Sequence, residues 1–131
     1  MISPPCATED SDDVSAGPFH IATDSENAEI CASGGICRGS AADFSRHLVR
    51  AALQVGRPGG KVRLEFEELD LLDGTAVAET VNALREILKS GRRLRIDHAP
   101  QMLAHTLYKA GMLEDGRILL IDPVEEESTA N

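Results

Sequence analysis

The amino-acid sequence predicts an α/β domain with a mixed sheet of four to five strands and its helices mainly on one face. Three observations lead to this fold class. Strand-like segments alternate along the chain with helical segments, an order typical of parallel strands joined by helical crossovers. Two of the strand segments, 61–66 and 93–97, alternate strictly between apolar and charged residues, which predicts a sheet with one polar face. Each helical segment carries one apolar stripe, so each helix should bury one side only.

The first half of the domain is predicted to contain two short strands and a helix. The strands, at 19–22 and 28–32, flank a polar turn, and a Ser-Gly-Gly stretch ends the second one. Ser40 is the expected N-cap of a helix at 41–55, because a serine hydroxyl accepts hydrogen bonds from the free N–H groups of a helix start. Apolar residues recur through this helix at a spacing that places them on one side.

The second half is predicted to continue the alternation of strands and helices. Asp73 is the expected N-cap of its first helix, Gly91 should end that helix in a left-handed conformation, and Pro100 should open the next helix. The predicted elements are a strand at 61–66, a helix at 74–90, a strand at 93–97, a helix at 100–110 and a strand at 118–121.

The length of 131 residues suits one domain flanked by polar segments. We expect a disordered leader at 1–17, a folded domain at 18–123 and a disordered acidic tail at 124–131. The net charge is −9, but seven of the 22 acidic residues lie in the two end segments, which leaves 15 acidic against 13 basic residues in the domain. A nearly neutral domain argues against nucleic acid as a partner.

Several other classes of function find no support in the sequence. No apolar run reaches the roughly 20 residues of a membrane-spanning helix, so we expect a cytoplasmic protein without direct membrane insertion. Three cysteines, none in a Cys-x-x-Cys pair, argue against a disulfide framework. No nucleophile motif, cofactor-binding loop or metal-ligand spacing is recognisable. We therefore expect a protein that is not an enzyme, with no catalytic residues, no cofactor and no metal.

Three segments of the domain resemble the STAS family, which includes bacterial anti-anti-sigma factors. The segment ASGGICRGSAADF, at 32–44, is similar to the end of the family's strand before its first helix. The segment VRLEFEELDLLDGTAVAETVNAL, at 62–84, resembles the central strand, an Asp-Ser-Ser-Gly turn and a helix. The segment LRIDHAPQMLAHTLYKAGML, at 94–113, resembles a strand, a Pro-led helix and a closing Gly-Leu. Their order and spacing imply a STAS-like fold over 18–123.

The resemblance implies a small regulator in partner switching in bacterial signal transduction and transcription regulation. In this family an anti-sigma kinase, which is a histidine-kinase-like ATPase, binds the dephosphorylated STAS protein, and this frees a sigma factor. Phosphorylation of the Ser or Thr that follows the Asp of the turn ends the association. Here Gly74 follows Asp73 directly, so Thr75 is the candidate phosphorylation site. Cys37 replaces the acidic residue that is usual near the start of the family's first helix.

We expect the protein partner to bind at the start of the second helix and at the adjoining start of the first. A helix start offers free N–H groups, and Gly74 lets a partner's backbone come close. A phosphate on Thr75 would place roughly −1.5 to −2 charges beside Asp73 and expel the partner. The predicted partner-binding residues are Arg38, Gly39, Ser40, Asp73, Gly74, Thr75 and Ala76.

Other functions stay open. Some stand-alone STAS domains bind the ATPase of a lipid-transport ABC system, and the chain is similar to these as well. Such an accessory subunit presents the same turn with little need for phosphorylation. A small-ligand sensor is a third possibility, although the sequence shows no aromatic-lined or glycine-rich pocket signature. The simplest interpretation treats Asp73 as an ordinary helix cap with no partner.

Overall fold

The structure is a computed structural model that describes residues 14–16 and 19–121. The strands and helices are, in chain order, β1 Val14–Ala16, β2 Phe19–Asp24, β3 Glu29–Ile36, α1 Arg38–Val55, β4 Lys61–Glu65, β5 Leu69–Leu71, α2 Gly74–Lys89, β6 Arg93–Asp97, α3 Gln101–Lys109 and β7 Ile118–Ile121.

One mixed sheet runs through the described part of the chain. Its order is β1-β2-β3-β4-β6-β7, and β5 adds a seventh strand by pairing with the C-terminal part of β3. β1 pairs antiparallel with β2 and β2 pairs antiparallel with β3, whereas β3, β4, β6 and β7 run parallel to one another. Helical crossovers join these parallel neighbours, as parallel strands require. The C-terminal ends of β4 and β6 therefore lie side by side at one edge of the sheet, and β3 continues past them to Ile36.

The described helices lie on one face of this sheet, where α1 packs against α2 and α2 packs against α3. Ile30, Leu64 and Ile96 are register neighbours on β3, β4 and β6, and all are fully buried under the helices. Phe44 of α1 joins them and makes an edge-to-face contact with Phe19, with ring centroids 5.4 Å apart. Burial of each such side chain contributes roughly 1.5–3 kcal/mol before conformational entropy is subtracted.

The opposite face carries charged side chains, because the residues of β4 and β6 alternate between the two sides of the sheet. Register places Lys61 beside Arg93, Arg63 beside Arg95, and Glu65 beside Asp97. We call the surface formed by these six residues the charged face. The strict alternation in the two strands predicted it, and the one-sided placement of the helices follows from it.

The predicted α/β class, with a mixed sheet and helices mainly on one face, is confirmed. The sheet is larger than the predicted four to five strands, because the short strands β1 and β5 join it. The strand predicted at 28–32 continues to Ile36 as β3. Parallel pairing with β5 extends it, because β5 supplies the hydrogen-bond partners for the glycine-rich stretch that was expected to end the strand.

The domain boundaries are only partly covered by the described residues. Within the leader predicted at 1–17, residues 14–16 form β1 and pair with β2. The rest of that leader and the tail predicted at 124–131 lie outside the described residues. Among the helices of the described part, none is long and apolar enough to cross a membrane.

Candidate functional site

The predicted partner site lies where the starts of α1 and α2 come together. The chain enters α1 from the end of β3 and enters α2 from β5, which pairs with β3. This pairing brings the two helix starts side by side. We call the surface formed by Arg38, Gly39, Leu72, Asp73, Gly74 and Thr75 the helix-tip surface.

The Asp73 carboxylate links the two helices. One of its oxygens accepts a hydrogen bond from the backbone N–H of Ala76 at 2.9 Å, which makes Asp73 the N-cap of α2 as predicted. The other oxygen accepts from the backbone N–H of Arg38, the first residue of α1, at 2.8 Å. These two hydrogen bonds hold the pKa of Asp73 below its usual value, and the bond from Ala76 has the larger effect. The carboxylate therefore stays ionised and satisfies free N–H groups of two helix starts at once.

The start of α1 differs from the prediction. The helix begins at Arg38 with Cys37 as N-cap, not at 41 with Ser40 as N-cap. Ser40 lies inside the first turn, where its hydroxyl accepts a hydrogen bond from the backbone N–H of Cys37 at 3.2 Å. The serine therefore satisfies a backbone donor as expected, but from the third helical position. A hydrogen bond from the backbone N–H of Gly39 lowers the pKa of the exposed Cys37 thiol, and a hydrogen bond with the Ser40 side chain lowers it further.

The seven predicted partner-binding residues differ in exposure. Arg38, Gly39 and Gly74 are exposed, and Asp73 and Thr75 are half-buried. Ser40 and Ala76 are buried, with 8% and 0% of their surface exposed. These two residues shape the helix starts from beneath, but a partner that leaves the fold intact does not reach them. The predicted residues therefore lie close together in the structure, but only five of them are accessible at the surface, and the other two are buried beneath it.

Gly74 is open to solvent in the way that the docking hypothesis needs. A Cβ atom built on it has no other atom within 4 Å. Nothing in the fold therefore requires glycine at this position for reasons of space. The absence of a side chain leaves the first turn of α2 accessible to another backbone.

Leu72 is a residue of this surface that the sequence analysis missed. It is 63% exposed although it is a large apolar side chain, and its backbone N–H donates to Ile36 at 2.8 Å. Its side chain lies over Gly35, since a Cβ at Gly35 would stand 3.1 Å from Leu72 Cδ1. Two adjacent leucines before Asp73 were the only signal available, and the sequence alone does not tell which of them points outward.

An ionic network covers the charged face near the C-terminal ends of β4 and β6. Asp97 forms ion pairs with Arg63 and Arg95, and each arginine has a guanidinium nitrogen 2.9 Å from a carboxylate oxygen of Asp97. The Asp97 side chain is only 7% exposed. Arg63 also lies 3.8 Å from Glu29 and 3.9 Å from Glu65. These contacts explain how carboxylates become buried on this face: Arg63 neutralises Glu29 and Asp97 from the adjacent strand and lies near Glu65 on its own strand.

Beside this network, Glu65 and His98 form a close pair at the ends of β4 and β6. His98 Nδ1 lies 2.7 Å from a Glu65 carboxylate oxygen, and the same oxygen accepts from the backbone N–H of Glu67 at 3.1 Å. Hydrogen bonding to Glu65 raises the pKa of His98. The sequence shows no metal-ligand spacing, yet Glu65, Glu67 and His98 converge here. Their place after neighbouring parallel strands was the signal that could have found them.

No protein-family model matches the chain, and no curated protein is significantly similar to it. The STAS resemblance therefore stays a prediction that rests on the three sequence segments.

Proposed function

We propose that the protein is a regulatory binding protein of the STAS type that docks a protein partner through the helix-tip surface. The partner proposed first is an anti-sigma kinase or a related ATPase in the bacterial cytoplasm, and the protein itself performs no catalysis. The observation that carries this proposal is the Asp73 carboxylate, which fixes the starts of α1 and α2 together. It supports a rigid surface on which Arg38, Gly39 and Gly74 are exposed.

The composition of the surface suits protein docking. Leu72 offers an exposed apolar side chain, and such side chains contribute to affinity when a partner buries them. The two glycines let a partner approach the helix backbones. Because Asp73 already holds the geometry in the free protein, little conformational entropy is lost on binding.

Charge around this surface favours a basic partner. Glu67, Glu68 and Asp70 are exposed in the segment that leads from β4 through β5 toward the helix-tip surface. Exposed acids close to a docking surface speed the encounter with a positively charged partner, and salt screens that effect. We therefore expect association to slow as ionic strength rises.

Phosphorylation of Thr75 would act as the switch. Thr75 lies in the first turn of α2 and is half-buried, beside a carboxylate that hydrogen bonds keep ionised. A phosphate with roughly −1.5 to −2 charges would repel that carboxylate and fill the space that Gly74 leaves open. Both effects lower the affinity for a partner seated on this surface.

The test is a binding assay between the full chain and candidate anti-sigma kinases. Gly74→Arg should abolish binding without unfolding the protein, because its side chain projects from a position with no neighbour within 4 Å. Asn82→Arg is the matched control, since it adds the same side chain at an exposed position two turns further along α2. Equal binding by Gly74→Arg and the wild type would contradict the proposed surface.

Kinase assays with labelled ATP test the switch separately. Thr75→Ala should remove the incorporated phosphate while binding persists. Incorporation that survives in Thr75→Ala would show that another residue is the acceptor, and it would leave the docking proposal in place.

A second candidate is an accessory subunit bound to the ATPase of a lipid-transport ABC system. Gly74 favours it, because glycine stands where the STAS turn usually carries the phosphorylated hydroxyl. This reading predicts that the same helix-tip surface binds an ABC ATPase and that Thr75→Ala changes nothing. Binding assays with both kinds of ATPase, each with the Gly74→Arg variant, distinguish the two candidates.

A further inference from the structure

We propose that Glu65, Glu67 and His98 form a binding site for one divalent transition-metal ion at the C-terminal edge of the sheet. This site is separate from the helix-tip surface, and the proposal is independent of the proposed function. One imidazole nitrogen and two carboxylate oxygens from these residues lie within 4.8 Å of one another. Each residue follows or ends one of two neighbouring parallel strands, so the sheet itself brings the donors together.

Glu65 gives the site a fixed ligand. It is the last residue of β4 and is buried, with 8% of its surface exposed. One carboxylate oxygen is held by His98 and by the backbone N–H of Glu67. Its other oxygen lies 3.9 Å from Arg63, beyond hydrogen-bond distance. The carboxylate is therefore oriented before any ion arrives and keeps an oxygen that is not fully engaged.

His98 supplies the nitrogen ligand. It follows β6 directly and has a φ of 59°, a left-handed conformation that ends the strand. Its Nδ1 already faces Glu65 at 2.7 Å. A metal ion would enter between these two atoms in place of the shared proton. Roughly tetrahedral donors at about 2.0–2.2 Å from an ion stand about 3.4 Å apart, so the pair needs to open by less than 1 Å.

Glu67 completes the set from the loop after β4. Its side chain is exposed, so rotation about its own bonds brings a carboxylate oxygen to the ion without disturbing the core. Two carboxylates balance the double positive charge of the ion. Arg63, close to Glu65, opposes binding and should keep the affinity modest.

The donor set indicates the class of ion. Imidazole together with carboxylates suits Zn²⁺, Mn²⁺ and Fe²⁺, whereas Ca²⁺ and Mg²⁺ favour sites made of oxygen alone. Three protein ligands also leave coordination positions for water or for a group from another molecule. The chemistry therefore points to a transition metal with at least one exchangeable ligand.

The location of the site is tested with Mn²⁺ alone and the full chain. Mn²⁺ favours oxygen and nitrogen donors over thiols, and its unpaired electrons broaden the NMR signals of nearby nuclei. Substoichiometric Mn²⁺ should broaden the backbone amide signals of residues 65–67 and 97–98 first. Broadening spread over the acidic surface, or its absence at these residues, would overturn the proposal.

The ligands are tested by titration with Zn²⁺ in a Cys37→Ser background, which removes the exposed thiol of Cys37. Glu67→Gln and His98→Asn should each weaken binding by about tenfold or more, since even loss of a supporting contact to a metal ligand costs that much. Asn tolerates the left-handed backbone at position 98. Glu68→Gln is the matched control, because it neutralises the neighbouring exposed acid outside the cluster. The Zn²⁺ affinity of this variant should equal that of the Cys37→Ser background. An equal loss of Zn²⁺ affinity in Glu68→Gln and Glu67→Gln would show that only the overall negative charge matters, and it would refute the site. Wild-type affinity in both Glu67→Gln and His98→Asn would refute it as well.

Discussion

Replacement of Gly56 by alanine should destabilise the fold, and the structure allows its magnitude to be worked out. Gly56 caps the C-terminus of α1 with φ −101° and ψ 148°, which any residue adopts without strain. A Cβ there would stand 2.4 Å from Val62 Cγ2 and 3.0 Å from the carbonyl oxygen of Ala52. Carbon atoms in contact are about 3.5–4.0 Å apart, so the added methyl group must push a fully buried side chain by more than 1 Å.

Overpacking of this kind costs about 1–3 kcal/mol. Lower entropy of the unfolded chain offsets about 0.4–1 kcal/mol of that cost, because alanine is less flexible than glycine. We therefore expect Gly56→Ala to lower the free energy of unfolding by about 1.3 kcal/mol, within a range of about 0–2.6 kcal/mol. Gly74→Ala is the control, since a Cβ there meets nothing within 4 Å, and it should be neutral or stabilising by up to about 1 kcal/mol. Urea denaturation monitored by circular dichroism measures both. A Gly56→Ala variant as stable as Gly74→Ala would refute the steric reasoning.

Three further predictions concern charged side chains. Arg92 is buried and donates hydrogen bonds to three backbone carbonyls near helix C-termini, so Arg92→Ala should cost about 2–3 kcal/mol in urea denaturation; a loss below 0.5 kcal/mol would contradict this role. Asp97→Ala leaves Arg63 and Arg95 without the carboxylate they share. Since both arginines are about 40% exposed, water moderates the cost to about 1–3 kcal/mol, and high salt should reduce it further. Asp73 has a lowered pKa in the folded protein. Its charge therefore stabilises the fold at pH values above its unfolded-state pKa of 3.8. That stabilisation is lost as the pH falls through the lower pKa of the folded protein. The difference in unfolding free energy between wild type and Asp73→Ala should therefore be constant near neutral pH and shrink below pH 4; a difference that does not change with acid would show that the carboxylate's charge is irrelevant.

The parts of the fold that were predicted well are those whose signal is local and periodic. The bounds of β6 and β7 match the prediction, because strict alternation in β6 and turn residues around both strands mark their ends. Asp73 was predicted as a cap for the same reason, since its donor lies three residues ahead of it. β1 and β5 were missed because three residues carry no measurable period. Their existence depends on pairing with β2 and β3.

The candidate site shows the same division between local and distant information. Sequence placed Gly74 and Thr75 at a helix start correctly, but it did not show that Asp73 also accepts from Arg38, 35 residues away. Burial of Ser40 and exposure of Leu72 arise from the assembled fold, and no local pattern in the sequence encodes them. The contact between Glu65 and His98 likewise follows from strand register, which places the ends of β4 and β6 side by side.

The hydrogen bond from Arg38 to Asp73 has a consequence for when the helix-tip surface forms. It spans 35 residues, and that interval contains all of α1, β4 and β5. The two helix starts therefore adopt their final arrangement only after these elements have assembled. A chain that is still folding, or that has opened locally in this region, therefore lacks a complete helix-tip surface, and every variant that loosens α1, β4 or β5 also perturbs that surface.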